Sequence, residues 1–253
     1  MSANALQERL RAGLPCVNGW LTLPSPFVAE TMAQAGWHSL TIDLQHGLQD
    51  YATAVALIQA LQRYPVVPLV RVPTHDPGII GKALDAGAWG VICPMINTVE
   101  EAHAFAQACH YPPLGSRSYG PIRARAYGGK APYHEIANEQ ILVLAQIETR
   151  QAVDQAAGIL DVPGISGIYV GPNDLGLSLG LPPILDREEP EILAIYGRLL
   201  AETRRRGRVA GIQNATPAYA ARMIELGFQL VTVASDLGLL AGAARQTVEA
   251  LRR

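Results

Sequence analysis

The sequence predicts one α/β domain of the (β/α)8, or TIM, barrel class, and three observations lead there. Eight short runs rich in Val, Ile and Leu alternate with longer helix-like stretches along the chain, the pattern of a parallel sheet buried on both faces. The chain has 253 residues and 49% hydrophobic content, which matches the length typical of such a barrel and supplies a large core. Polar chemistry also falls at the ends of the runs: Asp43 to His46, Arg71, Gln146 with Glu148, and Gly171 to Asp174 each close one. Parallel strands of one barrel would gather all four sets on a single face.

Taken in order, residues 1–15 read as a short amphipathic helix. Strands are expected at 17–23, 40–43, 66–71, 90–93, 142–148, 167–171, 209–213 and 230–234. Helices are expected at 26–35, 51–63, 77–86, 99–110, 150–157, 191–206, 217–226 and 237–251. Asp50, Asp76, Thr98 and Thr216 stand where N-caps belong, and proline follows two of them at the first helical position. Ala35-Gly36, Ala86-Gly87, Arg206-Gly207 and Leu226-Gly227 end helices with a glycine, which takes the left-handed cap conformation at no steric cost. Only the stretch 111–138 breaks the rhythm; its YPPLGSRSYGP, paired Arg123 and Arg125, and Gly128-Gly129 read as a long loop with a short helix beside the site. An open doubly wound sheet would alternate in the same way. It would carry a glycine-rich phosphate turn after its first strand, where this chain has NGWLTLPSP.

A formal net charge of -2 argues against a nucleic-acid or anionic-membrane partner. The run Arg204-Arg205-Arg206 suits the end of a helix, where cations meet the negative pole of its dipole. Cys16, Cys93 and Cys109 are far apart with no CxxC pair, which fits buried thiols in a reducing compartment better than disulfides or zinc. No signal-like segment and no apolar run of membrane-spanning length is present, so a cytoplasmic protein is expected.

The run ILVLAQIE delivers Gln146 and Glu148 to one face of a strand. A carboxylate ending so apolar a strand needs a partner. The next strand turns through Gly171-Pro172 and presents Asp174, so two carboxylates without neighbouring His or Cys form a hard oxygen pair suited to Mg2+, Mn2+ or a similar divalent ion. The plainer alternative pairs Glu148 with Arg71 and leaves Asp174 as a turn cap. In IDLQHG, Asp43 and His46 stand three apart across a strand end; the histidine suits a general base, and the carboxylate could orient it. His38, His75, His103, His110 and His134 end no strand and read as ordinary histidines. Arg71 closes VVPLVRVP and could hold a substrate carboxylate or an oxyanion, or form a structural ion pair. The two lysines, Lys82 and Lys130, end no strand, which disfavours a Schiff base.

With these residues the chain resembles the metal-dependent HpcH/HpaI class II aldolases, the 4-hydroxy-2-oxoheptanedioate or 2-keto-3-deoxy acid aldolase type. The likeness runs through GWLTLPSP, IDLQHG, PVVPLVRVP, ALDAGAWGVICPM, YPPLGSRSYG, VLAQIETRQAV and GIYVGPNDLGLSLG, and treats residues 1–253 as one barrel domain. It implies that Glu148 and Asp174 bind a divalent ion (Mg2+, Mn2+ or Co2+), with no organic cofactor. Gln146 would contact the bound 2-oxo acid, and backbone amides near Asn173 and Asp174 would hold its carboxylate. Arg71 would stabilise an enolate oxygen and His46 would act as acid/base. Asp85, in ALDAG, would reach the histidine of a neighbouring subunit, within a homohexamer that exchanges C-terminal helices. The family usually has glutamate where this chain has Gln45. Trp20, Leu21, Gln213 and the segment 116–119 would shape the aldehyde pocket. The expected activity is reversible cleavage of a 4-hydroxy-2-oxo acid to pyruvate, or a close 2-oxo acid, and an aldehyde. The alternatives are a citrate lyase β or malyl-CoA lyase type of enzyme acting on a CoA thioester, and a barrel that only binds.

Overall fold

All eight expected strands form in the computed structural model, which describes residues 4–126 and 132–252. They are β1 (Cys16–Leu21), β2 (Ser39–Asp43), β3 (Val67–Arg71), β4 (Gly90–Cys93), β5 (Leu142–Ile147), β6 (Gly167–Val170), β7 (Val209–Asn214) and β8 (Leu230–Val233). They pair in parallel, in sequence order, and β8 closes on β1. The helices are α1 (Ala5–Arg11), α2 (Pro26–Ala33), α3 (Tyr51–Leu61), α4 (Pro77–Asp85), α5 (Val99–Cys109), α6 (Tyr133–Gln140), α7 (Arg150–Asp161), α8 (Pro172–Ser178), α9 (Pro190–Arg205), α10 (Pro217–Leu226) and α11 (Asp236–Leu251).

The expected N-caps all work: Asp50, Asp76, Thr98 and Thr216 accept from first-turn amides, and Thr98 completes a capping box with Glu101. Gly36, Gly87, Gly207 and Gly227 have positive φ, as the helix ends require. Helix α7 runs four residues beyond the expected 150–157, because Gly158 sits inside it rather than ending it. A Cβ at Gly158 would lie 2.7 Å from Val99 Cγ2, so the glycine lets α7 pack against the start of α5.

Pairing register and the period of two along a strand decide which side chains point inward. Asn18 and Trp20, Thr41 and Asp43, Leu69 and Arg71, Leu144 and Gln146, Tyr169, Gly211 and Gln213, and Thr232 form the inward set. Midway up the barrel Asn18 bonds Thr41 and Thr232, Ser39 donates to Asn18, and the Tyr169 hydroxyl donates to Thr232 at 2.6 Å. This buried polar belt is bonded within itself and forms a rigid floor under the C-terminal rim. The larger apolar core lies between strands and helices, with Leu57, Phe105, Ile159 and Met223 fully buried. Cys16, Cys93 and Cys109 are buried and free, and burial pushes the Cys16 thiol up to about 11. They are inert packing groups.

The stretch 111–138 departs from its expected position. It contains a 3-10 turn at Ala124–Ala126 and the start of α6, but its described part lies at the N-terminal mouth of the barrel. The reason is topological: α5 carries the chain from the strand C-termini back to the other end, and the segment joining α5 to β5 stays at that end. Arg117 accordingly bonds Asp85, the last residue of α4, and Arg123 bonds the Ala86 carbonyl. Gly128-Gly129 and Lys130 lie outside the described residues. At the same mouth, α1 is tied down by Asn4, which donates to the carbonyls of Trp89 and Gln140.

Candidate active site

At the C-terminal rim, β2 and β3 place Asp43 opposite Arg71 in register. Arg71 donates through Nε to Asp43 Oδ1 at 2.9 Å and through Nη2 to Oδ2 at 2.5 Å, a bidentate pair. Trp20 Nε1 donates to Oδ2 at 3.1 Å, and the amides of Gln45 and His46 donate to Oδ1. Burial alone would raise the Asp43 carboxyl, but Arg71, Trp20 and the His46 amide outweigh it and hold the group below the usual carboxylate range. Arg71 also lies over the Trp20 ring, 4.8 Å from its centroid, and Trp20 stacks on Tyr169. Arg71 is therefore fixed on three sides, with Nη1 left free of any bond among the described residues.

Across the barrel, Glu148 is 2% exposed and has no cation partner among the described residues. Its Oε1 accepts the Met95 amide at 2.8 Å and its Oε2 accepts from Gln146 Nε2. Burial pushes this carboxyl up and Asp174 adds to the push; Met95, Gln146 and Arg71 act against it without prevailing. Met95 holds φ +55 to deliver its amide, an uncommon conformation for a non-glycine residue. Gly171 leaves the clearance this arrangement needs, since a Cβ there would lie 2.5 Å from Glu148 Oε2 and 2.9 Å from Gln146 Nε2. Gly171→Ala is expected to keep the barrel folded but weaken divalent-metal affinity about 10- to 100-fold, the effect of disturbing a ligand's support. Calorimetric titration with Mn2+ checks this, and unchanged affinity refutes the clearance argument.

Asp174 comes from α8, whose N-cap Gly171 offers no side-chain cap. The Asn173 and Asp174 amides thus lack protein acceptors, and Asp174 is exposed toward the rim. Helix α8 rests on Arg187, whose side chain is fully buried and reaches the carbonyls of Pro172 and Pro182 and the Glu189 carboxylate. Gly176 permits this, because any Cβ there would collide with the Arg187 guanidinium. Met95 and Arg187 were not singled out from the sequence. Only the Gly171-Pro172 turn carried a signal, since a backbone amide and a buried arginine beyond the motif carry none.

The other expected residues divide. His46 is exposed on the β2 rim with its imidazole free of hydrogen bonds among the described residues. Asp43 meets His46 through the backbone amide and not through the ring, so it fixes the turn and Arg71 rather than tuning the imidazole directly. Gln213 points inward at the end of β7 and is half-buried, as a pocket wall requires. Trp20 is 2% exposed with its N–H committed to Asp43, so it serves as floor under Arg71 rather than as an aldehyde contact. Leu21 turns outward with Ile42 into the strand–helix layer. Asp85 and the segment 116–119 lie at the opposite end of the barrel from His46 within one chain, with Asp85 bonded to Arg117 at 2.6 Å. Lys82 is exposed on α4 over the Tyr51 ring and ends no strand, while Lys130 is not among the described residues.

These residues fit a divalent cation. Glu148 is a buried carboxylate facing no cation, Asp174 is a second oxygen donor nearby, and Gln146 Oε1 and Asn173 Oδ1 are buried without hydrogen-bond partners. Buried polar atoms left unpaired mark a missing ion, water or ligand. No group of three or more His, Cys, Asp or Glu gathers among the described residues. A cation held by two carboxylates would keep most of its octahedral positions for water and substrate oxygens.

Known proteins resemble this chain in sequence and fold. The HpcH/HpaI aldolase/citrate lyase family model matches residues 18–243. A hydroxypyruvate/pyruvate aldolase of Rhizorhabdus wittichii is 39% identical over 245 residues, covering 97% of both chains. A 4-hydroxy-2-oxo-heptane-1,7-dioate aldolase of Salmonella typhimurium is 38% identical over 243 residues, covering 95% of this chain and 92% of the relative. The crystal structure of a protein of the same family from Burkholderia cenocepacia superposes with a TM-score of 0.91 at 33% identity, covering 99% of this chain and 100% of that one. A family model over most of the chain, near full-length similarity and a shared barrel together establish that the chain belongs to the HpcH/HpaI aldolase/citrate lyase family.

Proposed function

We propose that this protein is a divalent-metal-dependent pyruvate aldolase, cleaving 4-hydroxy-2-oxo acids reversibly to pyruvate, or a close 2-oxo acid, and an aldehyde. The observation that carries the reading is the cation-free Glu148 beside Asp174, facing an arginine with one free edge. Glu148 and Asp174 would hold Mg2+, Mn2+ or Co2+, which when bound supplies Lewis-acid polarisation of the 2-oxo group. The Asn173 and Asp174 amides hold the substrate carboxylate, and Gln146 Oε1 and Asn173 Oδ1, which are buried without partners, can accept from groups bound beside them. His46 takes the proton of the C4 hydroxyl, directly or through water. The C3–C4 bond then breaks, its electron pair passes to the enolate, and the aldehyde leaves. Arg71 Nη1 donates to the developing enolate oxygen, and its fixed position means no reorganisation is needed as the charge forms. No organic cofactor enters this scheme.

Incubation with 4-hydroxy-2-oxo acids should release pyruvate, EDTA should abolish the release, and Mg2+, Mn2+ or Co2+ should restore it. Full activity after exhaustive chelation, in a sample free of metal by elemental analysis, would overturn the reading. Preferential turnover of a CoA thioester would favour the citrate lyase β or malyl-CoA lyase alternative, and no turnover of any 2-oxo acid would favour a binding role. Borohydride with pyruvate should trap no adduct, because neither Lys82 nor Lys130 ends a strand.

The assembly we propose is a homo-oligomer, a hexamer with exchanged C-terminal helices. Of the 16 residues of α11 only Asp236 is buried, while Leu237, Leu240, Val248 and Leu251 are exposed. A helix this apolar and this bare calls for a second surface. Asp85 lies too far from its own His46 to act on it, and a neighbouring copy could supply it. Mixed Asp85→Asn and His46→Ala subunits, each inactive alone, are expected to regain part of the wild-type activity after subunit exchange. A monomer with full activity in sedimentation-checked assays would rule the shared site out. No helix among the described residues is long and apolar enough to cross a membrane.

A further inference from the structure

We propose that the N-terminal mouth of the barrel, opposite the candidate active site, is a second binding site for a compact dianionic oxyanion. A cavity of about 630 Å3 opens there between α1, the end of α9 and the starts of β5, β7 and β8. Its charged lining consists of Arg11, Arg204 and Arg208 against Glu139. The arginines at the end of α9 do not share one fate. Arg205 pairs with Glu202, and Arg206 pairs with both Glu202 and Asp161. Arg204 and Arg208 make no ion pair or side-chain hydrogen bond among the described residues, although both line the cavity. One cation suffices to complement the half charge at a helix C-terminus, so Arg204, Arg205, Arg206 and Arg208 together exceed what the end of α9 explains.

An independent observation concerns unpaired buried atoms. Thirteen buried side-chain polar atoms lack partners among the described residues, and three of them, Arg208 Nε, Gln7 Oε1 and His110 Nδ1, belong to residues that line this cavity. Gln7 is 9% and His110 2% exposed, so water does not freely satisfy them. Burial lowers the His110 imidazole below its ordinary range, and its Nε2 lies 3.0 Å from the Gly164 carbonyl. With Nε2–H donating there, Nδ1 is an acceptor. The cavity therefore offers cationic donors together with two neutral acceptors. An oxyanion that also carries a hydroxyl or an acidic proton, on a phosphate ester or a hydroxylated dicarboxylate, satisfies both sets.

Titration calorimetry at low ionic strength, with inorganic phosphate and with malate as separate probes, tests the proposal on the full-length protein. Wild type and Glu148→Gln should both bind, since Glu148 belongs to the other end of the barrel. Arg204→Gln/Arg208→Gln should bind at least about tenfold more weakly, the loss expected when charge-assisted bonds are removed. Tighter phosphate binding assigns the site to phosphate esters, and tighter malate binding to dicarboxylates. Equal affinity in the double variant, loss of binding in Glu148→Gln, or no binding of either probe by wild type overturns the proposal. If the double variant does not fold, Arg204→Gln alone, at an exposed position, decides by the same readout. The outcome is independent of the aldolase reading, which pyruvate release tests separately.

Discussion

Glu148→Gln and Asp174→Asn are each expected to lower metal-dependent aldol cleavage by about three orders of magnitude or more while the barrel stays folded. Lewis-acid stabilisation is worth several kcal/mol, and each 1.4 kcal/mol is about tenfold in rate. Both substitutions preserve shape and remove charge, so ligand loss separates from general damage. For Glu148 the sign of the stability effect is opposite to that of the activity effect. Its carboxyl is pushed up by burial, so the folded protein holds that proton more tightly than the unfolded chain does. Ionisation above the usual carboxylate range therefore costs stability, and glutamine, which does not ionise, avoids that cost. Glu148→Gln should consequently melt no lower than the metal-free wild type near neutral pH. Asp174 is exposed, and its change to Asn should barely move the melting temperature. Mn2+ titration gives the decisive readout: an unfolded variant, or one that binds Mn2+ and turns over like wild type, defeats the assignment.

The fold was legible because its signals are local and repeat eight times. Cap residues such as Thr98 and terminal glycines such as Gly87 punctuate the chain wherever a helix meets a strand. The candidate site was legible to the extent that barrel register turns "last residue of an apolar run" into "inward at the rim", which holds for Arg71 and Gln146, with Glu148 one residue beyond β5. What spacing could not convey is which way a side chain commits its bonds. Asp43 and His46 stand three apart, yet Asp43 spends its oxygens on Arg71, Trp20 and turn amides. Trp20 looks like a pocket wall in sequence, but burial and its bond to Asp43 make it floor. The alternative pairing of Glu148 with Arg71 fails for the same reason: Arg71 already has a carboxylate on the adjacent strand. Within one chain the segment 116–119 lies away from the rim, because glycine and proline content reports a loop, whereas the end of the barrel it occupies depends on the helix before it.

Asp43→Asn should damage both fold and chemistry, and in a separable way. In the wild type the Asp43 oxygens accept five bonds, two of them from a guanidinium that is 8% exposed. Asparagine keeps one acceptor oxygen and turns an N–H2 toward donors, leaving a buried arginine without its counter-charge. Breaking such a pair costs about 3 kcal/mol at the lower end of the usual range, which in a chain of this size lowers Tm by roughly 6–12 °C. The loss should depend on pH in a definite direction. Because the Asp43 carboxyl is held below its unfolded value, its contribution is complete above the ordinary carboxylate range and disappears as pH falls through the lower folded value. Wild type and variant should therefore differ most near neutral pH and converge in acid. On the chemical side, an Arg71 released from its bidentate seat no longer aims Nη1 at the enolate oxygen. Loss of one such preorganised donor costs about 100- to 1,000-fold, and the loss should appear in kcat more than in KM because that oxygen carries its charge only as the bond breaks. Arg71→Lys should share the kcat defect, since a lysine cannot bridge both Asp43 oxygens and still reach the site. Its cost in stability should be smaller, because the charge pair survives. Unchanged kcat in both variants would mean that the Asp43–Arg71 pair is only structural.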